Sequence, residues 1–379
     1  MSQHLQLNSH SLNLSRYPQE HSQDLRAWSA ADELLLDYAN QQDAIVHHIL
    51  IINDEFGALA CGVLAMPQFA HSQITWLSDS FVAQQALKQN LAANQLDPQR
   101  LNIVSSTSEL PAAELILMRL AKSLNYLEYQ LISLQSILNE SSKFACGAML
   151  KSLPKSVFSL FEQHLGNVTT SLAKKKARLL FGHYQHKHST MPYPKCWQIA
   201  EYQWQLKDHA NVFCFGKFDI GTRFMLQHLP AQNVETVIDL GCGNGLLGLR
   251  ALELYPNAQV QFCDESAMAL ASAQNNVSLN HPEQLARCSF SQDNGLQHQE
   301  SDSADLILCN PPFHQQNTIS SHIAQQMFRD AKRCLRSGGQ LLVVANRHLG
   351  YHPLLKSLFG GYKLLASNSK FVILSSTKR

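Results

Sequence analysis

The chain has 379 residues, which is too long for one ordinary core and suits two domains that each bury an apolar interior. With 45% hydrophobic and 16% charged residues, the composition excludes a largely disordered chain. No apolar run approaches the roughly 20 residues that a membrane helix needs, and Met1 to Ser15 is polar. We therefore expect neither a membrane span nor a signal peptide, and a cytoplasmic location.

The nine cysteines are odd in number, widely scattered and without a Cys-x-x-Cys pair. This pattern argues against a disulfide framework and against a zinc site. We expect reduced thiols and no metal.

The positive charge is concentrated in the second half of the chain. Residues 1–170 hold 9 Lys and Arg against 15 Asp and Glu, a net −6, whereas residues 171–379 hold 21 against 14, a net +7. A basic surplus of this kind favours association with a polyanion such as a nucleic acid. Similar asymmetry also occurs in proteins that never touch nucleic acid, so both interpretations stay open.

Residues 1–170 repeat features of the second half. Three short segments recur in the same order, the second of them at a constant offset of 186: His48 to Asn53 with Gly57 resembles Val237 to Gly245, Asp79-Ser80 through Asn90 and Asn94 resembles Glu265-Ser266 through Asn276 and Asn280, and Glu114 to Leu117 resembles Asp305 to Leu308. These matches indicate a duplicated domain. Because the first copy lacks both motifs described below, we expect it to keep the fold without a working site and to serve in substrate docking or packing.

Residues 171–198 are predicted to be a basic connector between the two halves. The segment opens with Leu172-Ala-Lys174-Lys175-Lys176-Ala-Arg178 and runs to a Pro-containing stretch. Such a run is usually a solvated face. The alternative is that Lys174, Lys175, Lys176 and Arg178 contact nucleic-acid phosphates.

Residues 199–379 alternate strand-like apolar runs with longer amphipathic runs. This rhythm is typical of a wound α/β sheet. With the repeat, it predicts two tandem Rossmann-like domains, each with a seven-stranded, mostly parallel sheet. The predicted strands of the second half are 235–240, 258–263, 286–291, 304–309, 340–345 and 370–375.

A glycine-rich turn, Asp239-Leu-Gly241-Cys-Gly243-Asn-Gly245, lies between a predicted strand and a predicted helix from Leu246 to Leu254. Glycines let the backbone approach a nucleoside closely and leave amides free. The leading acid can hold the ammonium of an amino-acid-bearing cofactor, directly or through water. The overlapping pattern Gly243-x-Gly245-x-x-Gly248 also fits a dinucleotide fold, but a nicotinamide cofactor has no such ammonium.

Two further strand ends supply candidate cofactor contacts. Asp264 ends the second strand, where its carboxylate can accept both ribose hydroxyl protons; a helix N-cap is the alternative role. Asp293 and Asn294 follow the third strand. We favour Asn294 for the adenine edge, although both residue types also form turns.

The second motif, Asn310-Pro311-Pro312-Phe313-His314, follows a predicted strand about seventy residues after the glycine turn. The Asn310 oxygen and the Pro311 carbonyl can each accept one N–H of a planar amine, and positioning of this kind can supply up to about 7–11 kcal/mol. Pro311 and Pro312 stiffen the turn, and Phe313 can stack on a base removed from its helix. Pro312 is also a candidate substrate contact, and His314 either contacts the substrate or packs beside the site. Together the two motifs indicate methyl transfer to a planar amino group.

With both motifs, the chain resembles the class I S-adenosylmethionine-dependent methyltransferases. More narrowly, it resembles the bacterial guanine-N2 ribosomal RNA methyltransferases that carry a duplicated fold, and among them the members that act on the large subunit. The similarity runs nearly end to end and includes Ala27-Trp28, Ala31-Asp32-Glu33, Asn53-Asp54-x-Phe56-Gly57-Ala58-Leu59, Lys175 to Leu179, His209 to Phe213, Asp219-Ile220-Gly221, Asn310 to Gln316 and Ala345 to Leu349.

The resemblance implies S-adenosylmethionine as cofactor, with contacts at Asp239, Gly241 and Asp264, an adenine contact near Asn294, and the amine clamp at Asn310. Gly243 joins this set from the turn itself. The resemblance also implies that the segment from Phe213 to Thr222 covers the methyl group, with Phe213 as a substrate contact. The chain departs from the family pattern at Cys214-Phe215 and Lys217-Phe218, which leaves the local substrate contacts open.

We therefore predict an enzyme that methylates a guanine amino group of 23S ribosomal RNA, as naked RNA or in a large-subunit precursor, with Asn310, Pro311 and Phe313 as catalytic residues. Four alternatives stay open. They are a 16S RNA guanine-N2 methyltransferase, an adenine-N6 nucleic-acid methyltransferase, a glutamine-N5 protein methyltransferase, and an RNA-binding protein without turnover.

Overall fold

The computed structural model describes residues 4–7, 10–18, 25–42, 45–182, 185, 187–312 and 318–379, the last range without the side chains of 318–321. The chain divides into two compact units, Met1–Tyr193 and Pro194–Arg379. Each unit contains a seven-stranded sheet, so the predicted pair of α/β domains is confirmed.

The first unit has a sheet with the order β5-β4-β3-β6-β7-β9-β8, in which β9 is antiparallel to both of its neighbours. A separate hairpin of β1 and β2 precedes it. The strands and helices, in chain order, are β1 (His4–Gln6), β2 (Ser11–Asn13), α1 (Ala30–Asn40), β3 (His48–Ile52), α2 (Ala58–Ala65), β4 (Gln73–Ser78), α3 (Phe81–Ala93), β5 (Leu101–Ser105), β6 (Leu115–Arg119), α4 (Leu124–Leu134), β7 (Lys143–Met149), α5 (Lys155–His164), β8 (Val168–Thr170) and β9 (Ala177–Gly182).

The second unit repeats this topology, with the sheet order β14-β13-β12-β15-β16-β18-β17 after a hairpin of β10 and β11. Here β18 is the antiparallel strand. The strands and helices are β10 (Lys195–Ile199), β11 (Trp204–Asp208), α6 (Ile220–Leu226), β12 (Thr236–Leu240), α7 (Leu246–Leu254), β13 (Gln259–Asp264), α8 (Ala267–Asn280), β14 (Cys288–Gln292), β15 (Ala304–Cys309), α9 (Thr318–Cys334), β16 (Leu335–Asn346), α10 (His352–Phe359), β17 (Lys363–Ser367) and β18 (Phe371–Thr377).

The central strands of the second sheet are apolar along most of their length because helices cover both faces of a parallel sheet. Val237 of β12 packs into the cluster on one face, whereas Ile238 and Leu240 pack into the cluster on the other. The same alternation divides Leu306 from Ile307 in β15. The pair of strands that leads to the candidate site is therefore held rigidly between two cores.

The predicted strands of the second half are confirmed within a few residues, but β17 was not predicted. Lys363–Ser367 lies at the edge of the sheet, and most of its side chains are exposed. Its apolar run, Leu364-Leu365-Ala366, is short, does not alternate with polar residues and is largely exposed, so the sequence pattern did not reveal a strand.

A shared hydrogen-bond network supports the predicted duplication. In the first unit the buried Asn90 side chain donates to the Phe56 carbonyl at 2.7 Å, and in the second the buried Asn276 side chain donates to the Asn244 carbonyl at 2.9 Å. Both carboxamides thereby tie a long helix to the turn after the first central strand. The two asparagines are the pair that the sequence repeat aligns at an offset of 186.

The prediction that residues 171–198 connect the halves is wrong over its first part. Ala177–Gly182 forms β9 inside the first sheet, and Lys174 forms a bridge with Ala177, so the basic run is the turn of a hairpin. Because strand pairing uses this segment, the first unit extends to Tyr193 and not only to residue 170.

No helix among the described residues is long and apolar enough to cross a membrane. Within the same residues, no group of three or more His, Cys, Asp or Glu side chains could hold a metal ion. The nine cysteines are all free thiols, most of them buried.

Candidate functional site

The candidate site lies where the carboxyl ends of β12, β13 and β15 meet. Strand β12 pairs with β13 on one side and with β15 on the other, so the chain order reverses beside β12. Open parallel sheets bind ligands at this kind of switch point. Both sequence motifs follow strands that end here.

The glycine turn wraps around the end of β13. The Gly241 amide donates to the Cys263 carbonyl at 2.8 Å, and Gly241, Gly243 and Gly245 have φ values of +69°, +54° and +82°. Residues other than glycine rarely adopt this left-handed backbone conformation. A Cβ added at Gly243 would meet no atom within 4 Å, so this glycine faces open space in which a ligand can contact the backbone.

Asp239 is buried near the end of β12 with one carboxylate oxygen uncommitted. Its Oδ2 accepts the Gly248 amide at 2.8 Å, whereas its Oδ1 has no hydrogen-bond partner among the described residues. Burial raises the pKa of this carboxyl to about 8, and the nearby Asp264 charge adds to the effect while the Gly248 amide opposes it. A buried polar atom without a partner is costly, so a ligand cation at Oδ1 would be well accommodated.

Asp264, at the end of β13, holds the glycine turn in place. Its Oδ2 accepts the Gly243 amide at 2.8 Å and its Oδ1 accepts the Ser266 amide at 3.0 Å. The N-cap of α8 is Ser266, whose hydroxyl accepts the Ala269 amide, so the alternative role of Asp264 as the helix cap is not what the structure shows. Asp264 remains a candidate ribose ligand beside Gly243.

The two polar residues after β14 have different environments. Asp293 is buried and accepts hydrogen bonds from the Asn294 amide and from both the backbone and the ring of His298, each at 2.8 Å. Asp293 is therefore a turn-forming residue. The Asn294 side chain is half-buried, and its role as the adenine contact stays a prediction.

The Asn310 carboxamide is anchored at one end and uncommitted at the other. Its Nδ2 donates to Thr222 Oγ1 at 2.9 Å and to Asp219 Oδ2 at 3.2 Å. Its Oδ1 is buried without a hydrogen-bond partner among the residues that the structure describes. The oxygen predicted to accept a substrate N–H is thus the atom of this side chain to which no described residue is hydrogen-bonded.

The residues after Asn310 are described only in part. Pro311 is buried and Pro312 is half-buried, as a stiff turn after β15 requires. Phe313 and His314 lie outside the described residues, so their predicted roles stay predictions.

The segment from Phe213 to Thr222 leads into α6 and is fixed at several points. Phe213 is 57% exposed, which leaves its ring available for a substrate. The Gly216 amide donates to the buried Asp208 at 2.8 Å, and Asp219 caps α6 by accepting the Thr222 amide at 2.7 Å. The segment predicted to cover the methyl group therefore ends with Asp219 and Thr222, the two residues that bind the Asn310 carboxamide.

The roles of Asp219 and Thr222 as anchors did not emerge from the sequence. An Asp three residues before a Thr predicts a helix N-cap, and that local feature is present. The contact from Thr222 to Asn310 spans 88 residues of chain, and no local pattern encodes it.

The basic hairpin is partly neutralised within the first unit. Lys174 forms an ion pair with Asp37 at 3.0 Å, and Lys175 forms one with Glu33 at 2.6 Å. Lys176 is exposed, and Arg178 donates to the Thr170 hydroxyl at 3.3 Å. Phosphate contact by these four residues stays a prediction, and it would compete with the acidic partners of two of them.

The first unit carries different residues at four positions of the site, although Gly57 matches Gly245 of the glycine turn. Ile52 pairs with Met118 as Leu240 pairs with Cys309, which sets the correspondence between the two sheets. The replacements are Ile51 for Asp239, Asn53 for Gly241, Ser78 for Asp264 and Arg119 for Asn310.

Two of these replacement side chains, Asn53 and Arg119, bind other residues of the first unit. Asn53 keeps the left-handed backbone, with φ of +61°, but its side chain exchanges hydrogen bonds with Gln130 and donates to the Arg119 carbonyl. The Arg119 guanidinium forms a buried ion pair with Asp32 of α1. At the strand position of Asp239 the first unit has Ile51. The buried carboxylate of its turn is Asp54, which accepts the Ala60 amide at 2.9 Å, the counterpart of the Gly248 amide that Asp239 accepts.

The second unit therefore offers the groups that an amino-acid-bearing nucleoside needs. Asp239 Oδ1 is buried without a partner among the described residues, Gly243 faces open space, and the Asp264 carboxylate is hydrogen-bonded to the Gly243 amide. Across from them, Asn310 presents a hydrogen-bond acceptor. The residues present fit a cofactor of this class.

Comparison with known families assigns both halves of the chain. Residues 2–186 match the RLMG N-terminal domain family, and residues 203–375 match the methyltransferase small domain family. The two matched ranges agree with the two compact units.

Curated relatives resemble the chain over its full length. The ribosomal RNA large subunit methyltransferase G of Erwinia tasmaniensis is 45% identical over 377 residues, covering 99% of each chain. The protein of the same name from Pseudoalteromonas atlantica is 44% identical over 389 residues and covers both chains completely.

A solved structure shares the fold. The T. thermophilus 16S rRNA N2 G1207 methyltransferase (RsmC), in complex with AdoMet and guanosine, has a TM-score of 0.75 to this chain, covering 99% of this chain and 97% of its own. At 19% sequence identity, the likeness establishes the two-domain architecture alone.

Proposed function

Because the chain belongs to the ribosomal RNA large subunit methyltransferase G family, we propose that it methylates the N2 amine of a guanine in 23S ribosomal RNA, using S-adenosylmethionine. The name of the relatives supports a large-subunit RNA as acceptor. The structural relative that binds AdoMet and guanosine supports the cofactor and the base. A cytoplasmic location goes with this proposal.

The observation that carries the proposal is that Asn310 Oδ1 is buried and has no hydrogen-bond partner among the described residues. A guanine N2 amine is a poor nucleophile because its lone pair is delocalised into the ring. When Asn310 Oδ1 accepts one N–H and the Pro311 carbonyl accepts the other, the nitrogen is oriented with its lone pair toward the donor. Positioning of this kind needs neither a metal nor a covalent nucleophile.

The cofactor would be held by residues of the second unit. Asp239 Oδ1 would accept the ammonium, the Gly241 and Gly243 backbone would pack against the nucleoside, Asp264 would accept the ribose hydroxyl protons, and Asn294 would contact the adenine. When bound, S-adenosylmethionine supplies an electrophilic methyl group on a sulfonium. The amine nitrogen forms the new C–N bond as the S–C bond breaks, and the proton lost from nitrogen passes to water.

The base must leave its stack to reach Asn310. Phe313 would stack on the extruded guanine, and the Phe213 ring, which is exposed, would be a further contact for it. Base–aromatic stacking is worth roughly 1–3 kcal/mol, enough to offset part of the cost of unstacking. The first unit, whose site positions are filled, would dock RNA or pack against other elements without turnover.

Labelled-methyl transfer tests the proposal. The full chain would be incubated with labelled S-adenosylmethionine and deproteinised 23S RNA, 16S RNA, DNA or a release-factor protein, followed by digestion to nucleosides or amino acids. We expect N2-methylguanosine from 23S RNA. N2-methylguanosine from 16S RNA alone would instead indicate the 16S RNA enzyme. N6-methyladenosine would indicate an adenine methyltransferase and N5-methylglutamine a protein methyltransferase, and no transfer at all would indicate an RNA-binding protein without turnover.

A further inference from the structure

The Asn310 side chain has two hydrogens on Nδ2, and the protein supplies one acceptor for each. These acceptors are Thr222 Oγ1 at 2.9 Å and Asp219 Oδ2 at 3.2 Å, and both come from the start of α6. Thr222 is 8% exposed, so water does not compete freely for its hydroxyl. Both donor positions of the carboxamide are thus occupied away from the substrate.

This arrangement decides which end of the carboxamide faces the acceptor base. If the group rotated by half a turn, its oxygen would face the Asp219 carboxylate, which only accepts hydrogen bonds when ionised. The NH2 group would then face the substrate amine, donor against donor. In the observed orientation both Nδ2 hydrogens have acceptors, and Oδ1 faces the substrate amine. The reversed orientation sets the oxygen against Asp219 and the NH2 group against the amine, and it keeps at most one hydrogen bond to the anchor, from the Thr222 hydroxyl.

Resting on the proposed function, we propose that Thr222 and Asp219 are positioning residues that hold the Asn310 oxygen toward the substrate amine. They act through Asn310 and do not touch the reacting atoms. Their contribution is to keep the acceptor oxygen correctly oriented before the base arrives, so that orientation costs nothing at the moment of reaction.

The anchor is itself fixed by neighbouring contacts. Asp219 Oδ2 also accepts the Thr222 amide at 2.7 Å, and its Oδ1 accepts the Cys214 thiol at 3.8 Å. A Cβ added at Gly221 would lie 3.1 Å from both Asp219 Oδ2 and the Phe371 ring, so the turn is closely packed. The two acceptors therefore have little freedom to move away from Asn310.

The first unit makes an equivalent contact for a different purpose. Its helix α1 begins after the N-cap Ser29, and Asp32, at the same third position as Thr222, binds Arg119 at the end of β6. A link between the helix start and the strand end is thus a feature of the fold. Only in the second unit does that link leave an acceptor oxygen for a substrate.

Two substitutions separate positioning from folding. Thr222→Val keeps the shape and the backbone amide but removes the acceptor, and Thr222→Ser restores the hydroxyl. Asp219→Asn keeps a good N-cap but replaces a pure acceptor by a group that also donates, which permits the reversed carboxamide. For each variant, kcat, the KM for 23S RNA, the Kd for S-adenosylmethionine and the midpoint of thermal unfolding would be measured.

We expect kcat to fall at least tenfold in Thr222→Val and Asp219→Asn, with KM and the cofactor Kd within about threefold and unfolding midpoints within a few degrees of the parent. Thr222→Ser should recover most of the loss. Combined with Asn310→Ala, Thr222→Val should cause no further loss, because both changes remove one function.

Other outcomes divide cleanly between the two proposals. The positioning role would be overturned if kcat were unchanged in Thr222→Val and Asp219→Asn. It would also be overturned if their losses added to that of Asn310→Ala, or if Thr222→Ser were as slow as Thr222→Val. Should Thr222→Val fail to fold, Asp219→Asn decides the question alone. Full activity in Asn310→Ala would instead overturn the proposed function itself.

Discussion

Arg119 forms a buried ion pair with Asp32 in the first unit, at the position where Asn310 meets Thr222 in the second. The two side chains are 15% and 4% exposed. One copy of the duplicated fold has thus converted its strand end into a structural contact. The other has kept a neutral carboxamide with one oxygen uncommitted, which is the chemistry that the proposed reaction requires.

Replacing Arg119 by alanine should destabilise the chain substantially. Removing one partner of a buried pair leaves a buried charge without compensation, at a cost of about 3–5 kcal/mol. Urea unfolding would measure the loss. Lys122→Ala is the matched control, because Lys122 and its partner Glu55 are 93% and 51% exposed and the change should stay within about 0.5 kcal/mol. Equal effects of the two substitutions would contradict the structural role of Arg119.

The chain should bind one equivalent of S-adenosylmethionine. The first unit has Ile51, Asn53 and Ser78 at the positions of Asp239, Gly241 and Asp264, so all binding should come from the second unit. Isothermal titration is expected to give a stoichiometry of one, and Asp264→Ala should abolish the signal entirely. A second equivalent, or binding that survives this substitution, would show that the first unit is not degenerate.

Gly243→Ala should weaken cofactor binding at least tenfold. It should lower the free energy of unfolding no more than the same change at another glycine with positive φ. The added methyl group meets no protein atom but enters the space proposed for the nucleoside. Its backbone strain is of order 1–2 kcal/mol. Gly338 is a matched control, since it also has a positive φ, +82°, and no atom within 4 Å of an added Cβ.

The two alanine variants should therefore unfold at similar urea concentrations, while only Gly243→Ala loses cofactor affinity. If Gly338→Ala lowers the affinity as much, the effect comes from strain and not from occupation of the site.

Cofactor affinity should rise with pH below neutrality. The raised pKa of Asp239, about 8, means that the free protein holds this carboxyl protonated at pH 6, and only the ionised form pairs with an ammonium. As pH rises toward that pKa, less free energy is needed to expel the proton, so binding tightens. Titrations between about pH 5.5 and 6.5 keep an α-amino group, whose pKa is about 7.7–8.0, almost fully charged.

Asp239→Asn is the control for this pH dependence. The amide cannot ionise, so the variant should bind more weakly and show a flat profile over the same range. A parent protein with flat affinity, or a variant that retains the slope, would assign the pH effect to another group.

Most of the second sheet could be predicted from the sequence because its buried strands are apolar runs separated by turn residues. The edge strand Lys363–Ser367 could not, since it buries little. The composition of the basic run at Lys174 is that of a solvated face, which is why it was predicted to be a connector. It is the turn between β8 and β9, and β9 belongs to the sheet because it also pairs with β7, far back in the chain.

The site was predictable in parts that are local. Asp239 and Asn310 lie at strand ends next to glycine and proline. Because each combination falls within a few consecutive residues, its function can be predicted from the local sequence. The anchor at Thr222 depends on two segments that meet only in the folded sheet. The uncommitted oxygens of Asp239 and Asn310 likewise required the packing around them to be known.

Asn310→Ala should lose methyl transfer while binding cofactor normally. Without the carboxamide the amine is no longer oriented, and we expect kcat to fall at least a hundredfold, with the Kd for S-adenosylmethionine within a few-fold. Single-turnover transfer to 23S RNA and cofactor titration measure the two quantities. Loss of cofactor binding in parallel would instead place Asn310 in the cofactor site.

A structure of the chain with S-adenosylmethionine and guanosine tests the central claim most directly. The account predicts the cofactor over Gly241 and Gly243, the guanine N2 at hydrogen-bond distance, about 3 Å, from Asn310 Oδ1, and the donor methyl within about 3.5 Å of that nitrogen. A guanine whose N2 points away from Asn310, or a donor methyl directed elsewhere, would contradict it.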